Sequence, residues 1–245
     1  MSGDPSSEES YKGGFDALAQ GQKKRDYWWT VLATDPIALP ITRFLTKHRW
    51  LTPDAITALA LFAGLCVGPA FALGSRGGLI AGGLLFYLAF ILDCVDGKLA
   101  RATGVTSARG EALDHLADGG RRASASIGLF LYFWNVDEIA VGSGAFRLVE
   151  ETKPVELLLV VAYLVLAYYF LEISGAEKAD PREGLGGRWS QALAKRRLLA
   201  NPGMPDVQAV VFIVAPVFGV PELGLYVGIA MVTAAILLTV WRRLR

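Results

Sequence analysis

Apolar residues fall into six blocks, each close to the twenty residues that a helix needs to cross a bilayer. They lie at about 52–73, 78–102, 108–134, 154–173, 205–220 and 222–240. Blocks of this length, separated by short polar stretches, predict an all-α polytopic membrane protein with six transmembrane helices. Pro53 sits where a first helical turn begins, a position where its missing N–H leaves no bond unmade. Upstream, residues 23–50 mix cations, tryptophans and aliphatics, with breaks suggested at Thr34-Asp35-Pro36 and at Pro40. That mixture predicts a broken amphipathic segment in the membrane interface, with Trp28, Trp29 and Trp50 at headgroup level. A soluble helix packed on the membrane domain is the alternative. Residues 1–22 are polar and carry no basic stretch followed by an apolar run, so they are expected to form a flexible cytosolic tail rather than a secretory signal. The domain plan is therefore a tail (1–22), an interfacial segment (23–50) and a six-helix domain (51–245).

Composition agrees with this reading. Of 245 residues, 53% are hydrophobic and only 19% are charged, against roughly a quarter charged in soluble domains. The formal net charge of +1 says little about partners and gives no footprint for nucleic acid. The placement of charge says more. Cations cluster before the first block (Lys23, Lys24, Arg25, Arg43, Lys47, Arg49), after the fourth (Lys178, Arg182, Arg188, Lys195, Arg196, Arg197) and at the C-terminus. The loops of the opposite side carry Asp137, Glu138, Glu150 and Glu151 against Arg147 and Lys153. The positive-inside rule places both termini in the cytosol. Two cysteines, Cys66 and Cys94, lie inside apolar blocks and read as small buried hydrophobes. Glycine pairs spaced by four (Gly64/Gly68, Gly78/Gly82, Gly224/Gly228) allow close helix approach, chiefly within the bundle, with a homodimer contact as a further use.

The second and third blocks hold charges that a membrane disfavours. Asp93, Asp96, Lys98 and Arg101 end the second; Arg109, Glu111, Asp114, Asp118, Arg121 and Arg122 begin the third. An aspartate at the membrane centre costs about 2.5–3.5 kcal/mol on the insertion scale, so carboxylates there point to function. Offsets of three and four put Asp93, Asp96, Gly97 and Ala100 on one helix face, and Gly110, Asp114 and Asp118 on another. A short turn at 104–107 joins the two helices, so the stripes can converge near their cytosolic ends. Oxygen ligands without histidine or cysteine suit Mg²⁺, Mn²⁺ or Ca²⁺. The small residues leave room for a nucleotide. Interhelical ion pairs, such as Asp114 or Asp118 with Arg101, Arg121 or Arg122, are the bland alternative, but they give no reason for the glycines.

The run Asp93-x2-Asp96-Gly97-x2-Ala100-Arg101-x8-Gly110-x3-Asp114-x3-Asp118 resembles, at every fixed position and spacing, the signature of the CDP-alcohol phosphotransferase family. The six blocks, the amphipathic lead-in and the Thr52-Pro53 start also look like that family, over roughly 26–243. The resemblance implies that Asp93, Asp96 and Asp114 bind a pair of divalent cations, Mg²⁺ or Mn²⁺, with Asp118 close by. It implies that Asp118 is the general base for an acceptor hydroxyl, and that Gly97, Ala100, Arg101 and Gly110 shape the CDP site. The implied reaction transfers a phospho-alcohol, with CDP-diacylglycerol as the expected donor and a soluble CDP-polyol as the alternative, in phospholipid biosynthesis. The expected setting is a bacterial or archaeal cell membrane, with lipids around the protein and the site facing the cytosol. Two departures stand out. Asp54 follows the first-span proline where relatives often have asparagine, and Gly119 follows the last motif aspartate where relatives that make phosphatidylinositol phosphate often have arginine. Arg121 and Arg122, three and four residues past Asp118, are candidates to bind a phosphate on the acceptor. Lys195, Arg196 and Arg197 could add to that pocket or serve lipid headgroups. A cation-coupled transporter would instead place its charges at mid-membrane in symmetric halves. A non-catalytic scaffold gives no reason for the signature.

Overall fold

The structure is a computed structural model and describes residues 25–105, 107–135, 153–174, 193, 196–199 and 201–244. The expected tail (1–22), most of the loop at 135–153 and the cationic loop from 175 to 192, with Lys195, lie outside the described residues. Among the described residues there are seven helices and no strand: α1 (Asp35–His48), α2 (Pro53–Ala72), α3 (Arg76–Thr103), α4 (Ala108–Asn135), α5 (Lys153–Ser174), α6 (Met204–Phe218) and α7 (Pro221–Arg243). Helices α2 to α7 coincide with the six expected blocks. Three of them, α2, α3 and α7, are long and apolar enough to cross a membrane. Helix α4 is long enough, but its first half carries the charges of the signature. Helices of this length and composition mark an integral membrane protein.

Local chemistry sets the helix ends. The Thr52 hydroxyl caps α2 by accepting from the Ala55 amide at 3.3 Å, and the Ser75 hydroxyl caps α3 by accepting from the Gly78 amide at 3.1 Å. Gly104 ends α3 at φ +68° and Gly219 ends α6 at φ +77°, where a side chain would be strained. Arg76 then donates to the Pro216 carbonyl at 2.8 Å and the Val217 carbonyl at 2.6 Å, satisfying the end of α6. At 28 residues, α3 is about 42 Å long, beyond the ~30 Å hydrocarbon core. It therefore carries its last turns, with the motif, toward one end of the bundle.

The bundle is tightest where α2 packs along both α3 and α4. Pro69 cannot donate to the Leu65 carbonyl. The Ser124 hydroxyl of α4 donates to that carbonyl at 2.8 Å and accepts from the Gly68 amide at 2.9 Å. A Cβ on Gly128 would stand 2.5 Å from the Gly68 Cα, so the two backbones touch. Gly64, Gly82, Gly224 and Gly228 likewise face Arg121, Phe71, Ala215 and Val211 of the same chain. The glycine pairs thus serve packing within the bundle, as expected. The apolar core centres on Phe71, Phe86, Leu129, Phe133, Tyr163 and Phe212, with the Phe86 and Phe212 rings stacked at 5.0 Å.

The N-terminal segment departs from expectation. No break occurs at Pro36 or Pro40; a π-helical turn (Thr30–Thr34) leads straight into α1, which runs through both prolines. The π-helical turn, closed by the Asp35 amide donating to the Thr30 carbonyl, directly precedes Pro36, and the helix continues through Pro36 and Pro40 although neither has an N–H to give. The segment is also inverted relative to a soluble helix. Its buried face holds Thr30, Thr34, Asp35, Ala38 and Thr42, while Trp28, Leu32, Ile37, Ile41 and Phe44 are exposed.

Candidate active site

All four signature aspartates stand at one end of the bundle, around two adjoining cavities. Helices α3 and α4 meet only briefly, because α2 lies along both and holds them apart as the sides of a cleft. The stripes therefore line a cleft instead of packing on each other. The first cavity, about 500 Å³, is bordered by Asp96, Gly97, Ala100 and Arg101 of α3, by Gly110, Glu111 and Asp114 of α4, and by Asp54 and Thr57 of α2. The second, about 360 Å³, is bordered by Asp93, Lys98, Asp118, Arg121 and Arg122, with Asp26, Tyr27 and Thr30 of the N-terminal segment and Gln208 of α6. Gly97, Arg101 and Asp114 border both.

Within the first cavity, smallness has a measurable purpose. A Cβ on Gly110 would come 3.1 Å from Asp54 Oδ1 and 3.3 Å from Ser107 Oγ. Asp96 is only 4% exposed. Thr57 is in hydrogen-bonding reach of it, yet its Oδ2 has no hydrogen-bond partner. A buried carboxylate oxygen without a partner is costly unless a ligand completes it.

In the second cavity arginine sits among the carboxylates. Arg121, 2% exposed, donates to Asp118 Oδ1 and lies 3.9 Å from Asp93 Oδ1. Its guanidinium is held between the rings of Phe86 and Phe90, 5.3 and 5.2 Å from their centroids. Arg122 donates to Asp118 Oδ2 at 3.3 Å. Both arginines that the spacing offers to an acceptor phosphate are thus engaged with Asp118, the ion pairing that the sequence held as the alternative. Among the described residues, no three His, Cys, Asp or Glu side chains converge tightly enough to form a ready metal-ligand cluster. Arg121 is one physical reason, since its charge lies where a cation between Asp93 and Asp118 would go.

Several residues of the site escape the sequence pattern. Thr57 and Ser107 give no signal of their own, and Glu111 gives only that of a charge in an apolar block. Asp54 is visible only as a departure from the family. Lys98 stands among the charges that mark the second block, whereas Asp35 and Asp206, which hold the N-terminal segment, are charges inside apolar runs, the one cue that could have found them. Asp35 is ion-paired with Lys98 at 2.9 Å and with Arg197 at 3.2 Å.

The site is thus an acidic cleft that opens at one end of an all-helical bundle. The chain belongs to the CDP-alcohol phosphatidyltransferase family, whose model matches residues 50–241. No curated protein is a significant match. Among solved structures, the fold resembles the phosphatidylinositol phosphate synthase PgsA1 of Mycobacterium tuberculosis with CDP-DAG bound. The TM-score is 0.51 and the identity 21%, covering 85% of this chain and 92% of that chain. The same enzyme in complex with manganese and citrate gives a TM-score of 0.49 and 19% identity, over 84% of this chain and 89% of that one.

Proposed function

We propose that this protein transfers a phosphatidyl group from CDP-diacylglycerol to the hydroxyl of an alcohol acceptor, releasing CMP, in phospholipid synthesis. The observation that carries the reading is the pair of cavities joined at Gly97, Arg101 and Asp114 with all four signature aspartates on their borders. Such a layout suits two substrates that must meet in line. The first cavity takes the CDP moiety: Gly97, Ala100 and Gly110 leave it room and Arg101 reaches its phosphates. The second takes the acceptor.

The donor set fits divalent cations. It is all oxygen, and the unpartnered Oδ2 of buried Asp96 is a ligand atom left to spend. Asp93, Asp96 and Asp114, with Asp118 beside them, would hold a pair of Mg²⁺ or Mn²⁺ ions. Bound there, the ions supply charge neutralisation for the diphosphate and for the departing CMP. The chain's own residues do the rest. Asp118 takes the proton of the acceptor hydroxyl, and Arg121 keeps that carboxylate in place. The acceptor oxygen forms a bond to the phosphorus that carries the alcohol. The bond from that phosphorus to the bridging oxygen breaks, and its electron pair leaves with CMP.

The membrane arrangement follows from the same residues. Helices α2 to α7 make six crossings, and the inverted face of α1 rests its exposed aliphatic side chains on lipid at the cytosolic interface. A lipid-linked donor reaches a site at that level without leaving the bilayer. The testing experiment is CMP release from CDP-diacylglycerol by the purified chain, with and without Mg²⁺, against a panel of acceptor alcohols. Metal-dependent release with one acceptor is expected. Release from soluble CDP-polyols alone would replace the donor, and no metal-dependent release from any CDP-alcohol would sink the enzyme reading.

A further inference from the structure

The family match begins at residue 50, yet Asp26, Tyr27 and Thr30 form a wall of the second cavity. They are fixed there by contacts distant in sequence. The Asp26 amide donates to the Arg197 carbonyl at 2.8 Å, and the Leu199 amide to the Asp26 carbonyl at 3.0 Å. The Trp28 indole N–H donates to the Leu199 carbonyl at 2.8 Å. The Trp29 amide donates to Asp206 Oδ1 at 2.6 Å. Gly203 makes room for the Tyr27 ring, which any Cβ there would strike. One helical turn further on, Asp35 is buried against Lys98 and Arg197. Lys98 lies two residues past Asp96 on α3, and the Tyr87 hydroxyl of that helix donates to the Ala33 carbonyl at 2.6 Å. A buried ion pair is weak evidence for stability, but as part of this set it fixes position.

The wall is made of groups suited to hydroxyls. Tyr27, Thr30 and Gln208 on its border are neutral and each can both donate and accept, while the Asp26 carboxylate accepts from the Tyr27 amide at 2.9 Å. Of the cations that border the cavity, Lys98, Arg121 and Arg122 are already engaged with Asp35 and Asp118, and Arg101 is shared with the first cavity. We propose that residues 26–35 are the acceptor-recognition element of this chain: Tyr27 and Thr30, with Gln208, read the hydroxyls of a polyol, and the Asp35–Lys98 pair positions them. Thr30 and Gln208 are buried by residue, so a polyol that bonds them does so largely away from water, where a lost partner is felt most. This inference rests on the transferase reading above.

The test uses the full chain in nanodiscs, with CDP-diacylglycerol as donor and glycerol, myo-inositol and their monophosphates as acceptor probes. CDP binding is measured separately by calorimetry. Tyr27→Phe, Thr30→Val and Gln208→Leu are each expected to raise the acceptor KM roughly five- to tenfold. The donor KM and CDP affinity should stay within about twofold, the scatter of uninvolved sites. Asp35→Asn should raise the acceptor KM without changing CDP affinity, and Asp35→Glu should restore it; a merely structural role would move both substrates together. Unchanged acceptor KM in all three wall variants, or equal rises for donor and acceptor, would overturn the proposal while leaving the transferase reading intact. Absence of CMP release by the wild-type chain with every probe would remove that reading, and this inference with it.

Discussion

The two cavities share three residues and differ in how they are built. The first is assembled from neighbours in sequence: two helices joined by a short turn, carrying their small and acidic residues at offsets of three and four, with Pro53, Asp54 and Thr57 added from α2. The second takes the larger part of its border from those same helices and the rest from the N-terminal segment, α6 and Leu171 of α5. The first contains an unpartnered carboxylate oxygen on Asp96; in the second the carboxylates Asp93 and Asp118 already face Arg121. The contrast suggests a division of labour. On the proposed function, a common handle, CDP, would be met by a local motif, and a variable acceptor by parts brought from elsewhere in the chain.

The sharpest attempt to break this division is at the metal ligands, where both substrates should be lost together. Removal of divalent ions by chelation, and Asp96→Asn, are each expected to lower CMP release by about a thousandfold or more, given the several kcal/mol that metals supply to phosphoryl transfer. Added Mg²⁺ should restore the chelated protein only. Next in size is Asp118→Asn, which should reduce turnover by about 10²–10⁴-fold, the usual worth of a positioned base, with CDP affinity preserved. Retained turnover in that variant would take Asp118 out of the base role. Gly110→Val acts on the first cavity alone. Its side chain would press on Asp54 and Ser107 and should raise the donor KM about tenfold, equivalent to some 1.4 kcal/mol, with little change for the acceptor. A matching rise in acceptor KM would erase the distinction between the cavities. The smallest expected effect on catalysis is that of Gly128→Val, ten residues or about 15 Å along α4 from Asp118. It forces apart backbones in contact at Gly68 and should cost about 1–3 kcal/mol of stability, read as a lower melting temperature, while the ratio of the two KM values stays unchanged.

The sequence made most of the helical plan legible. The expected blocks at 52–73, 78–102 and 205–220 differ from Pro53–Ala72, Arg76–Thr103 and Met204–Phe218 by a residue or two at most ends. Caps and stops such as Thr52, Ser75 and Gly104 are local features, readable as such. The prolines of the N-terminal segment misled, because the helix runs on through both of them from a π-helical turn that no local pattern announces. The role of Arg121 was only half legible. Its spacing put it above Asp118, but whether it would face an incoming phosphate or the carboxylate depends on Phe86 and Phe90 of another helix.

What the sequence determined by itself is therefore the all-helical membrane class, the family, and the faces on which the four aspartates lie. Those follow from composition and from a 3.6-residue period, which act over a turn or two of chain. Only the tertiary structure decided that α2 holds the two acidic faces apart as a cleft, that Arg121 is taken by Asp118, and that the N-terminal segment closes the second cavity. Contacts such as that of Trp28 with Leu199, 171 residues apart, leave no periodic trace, because they depend on how whole helices settle against one another and not on the neighbours of either residue.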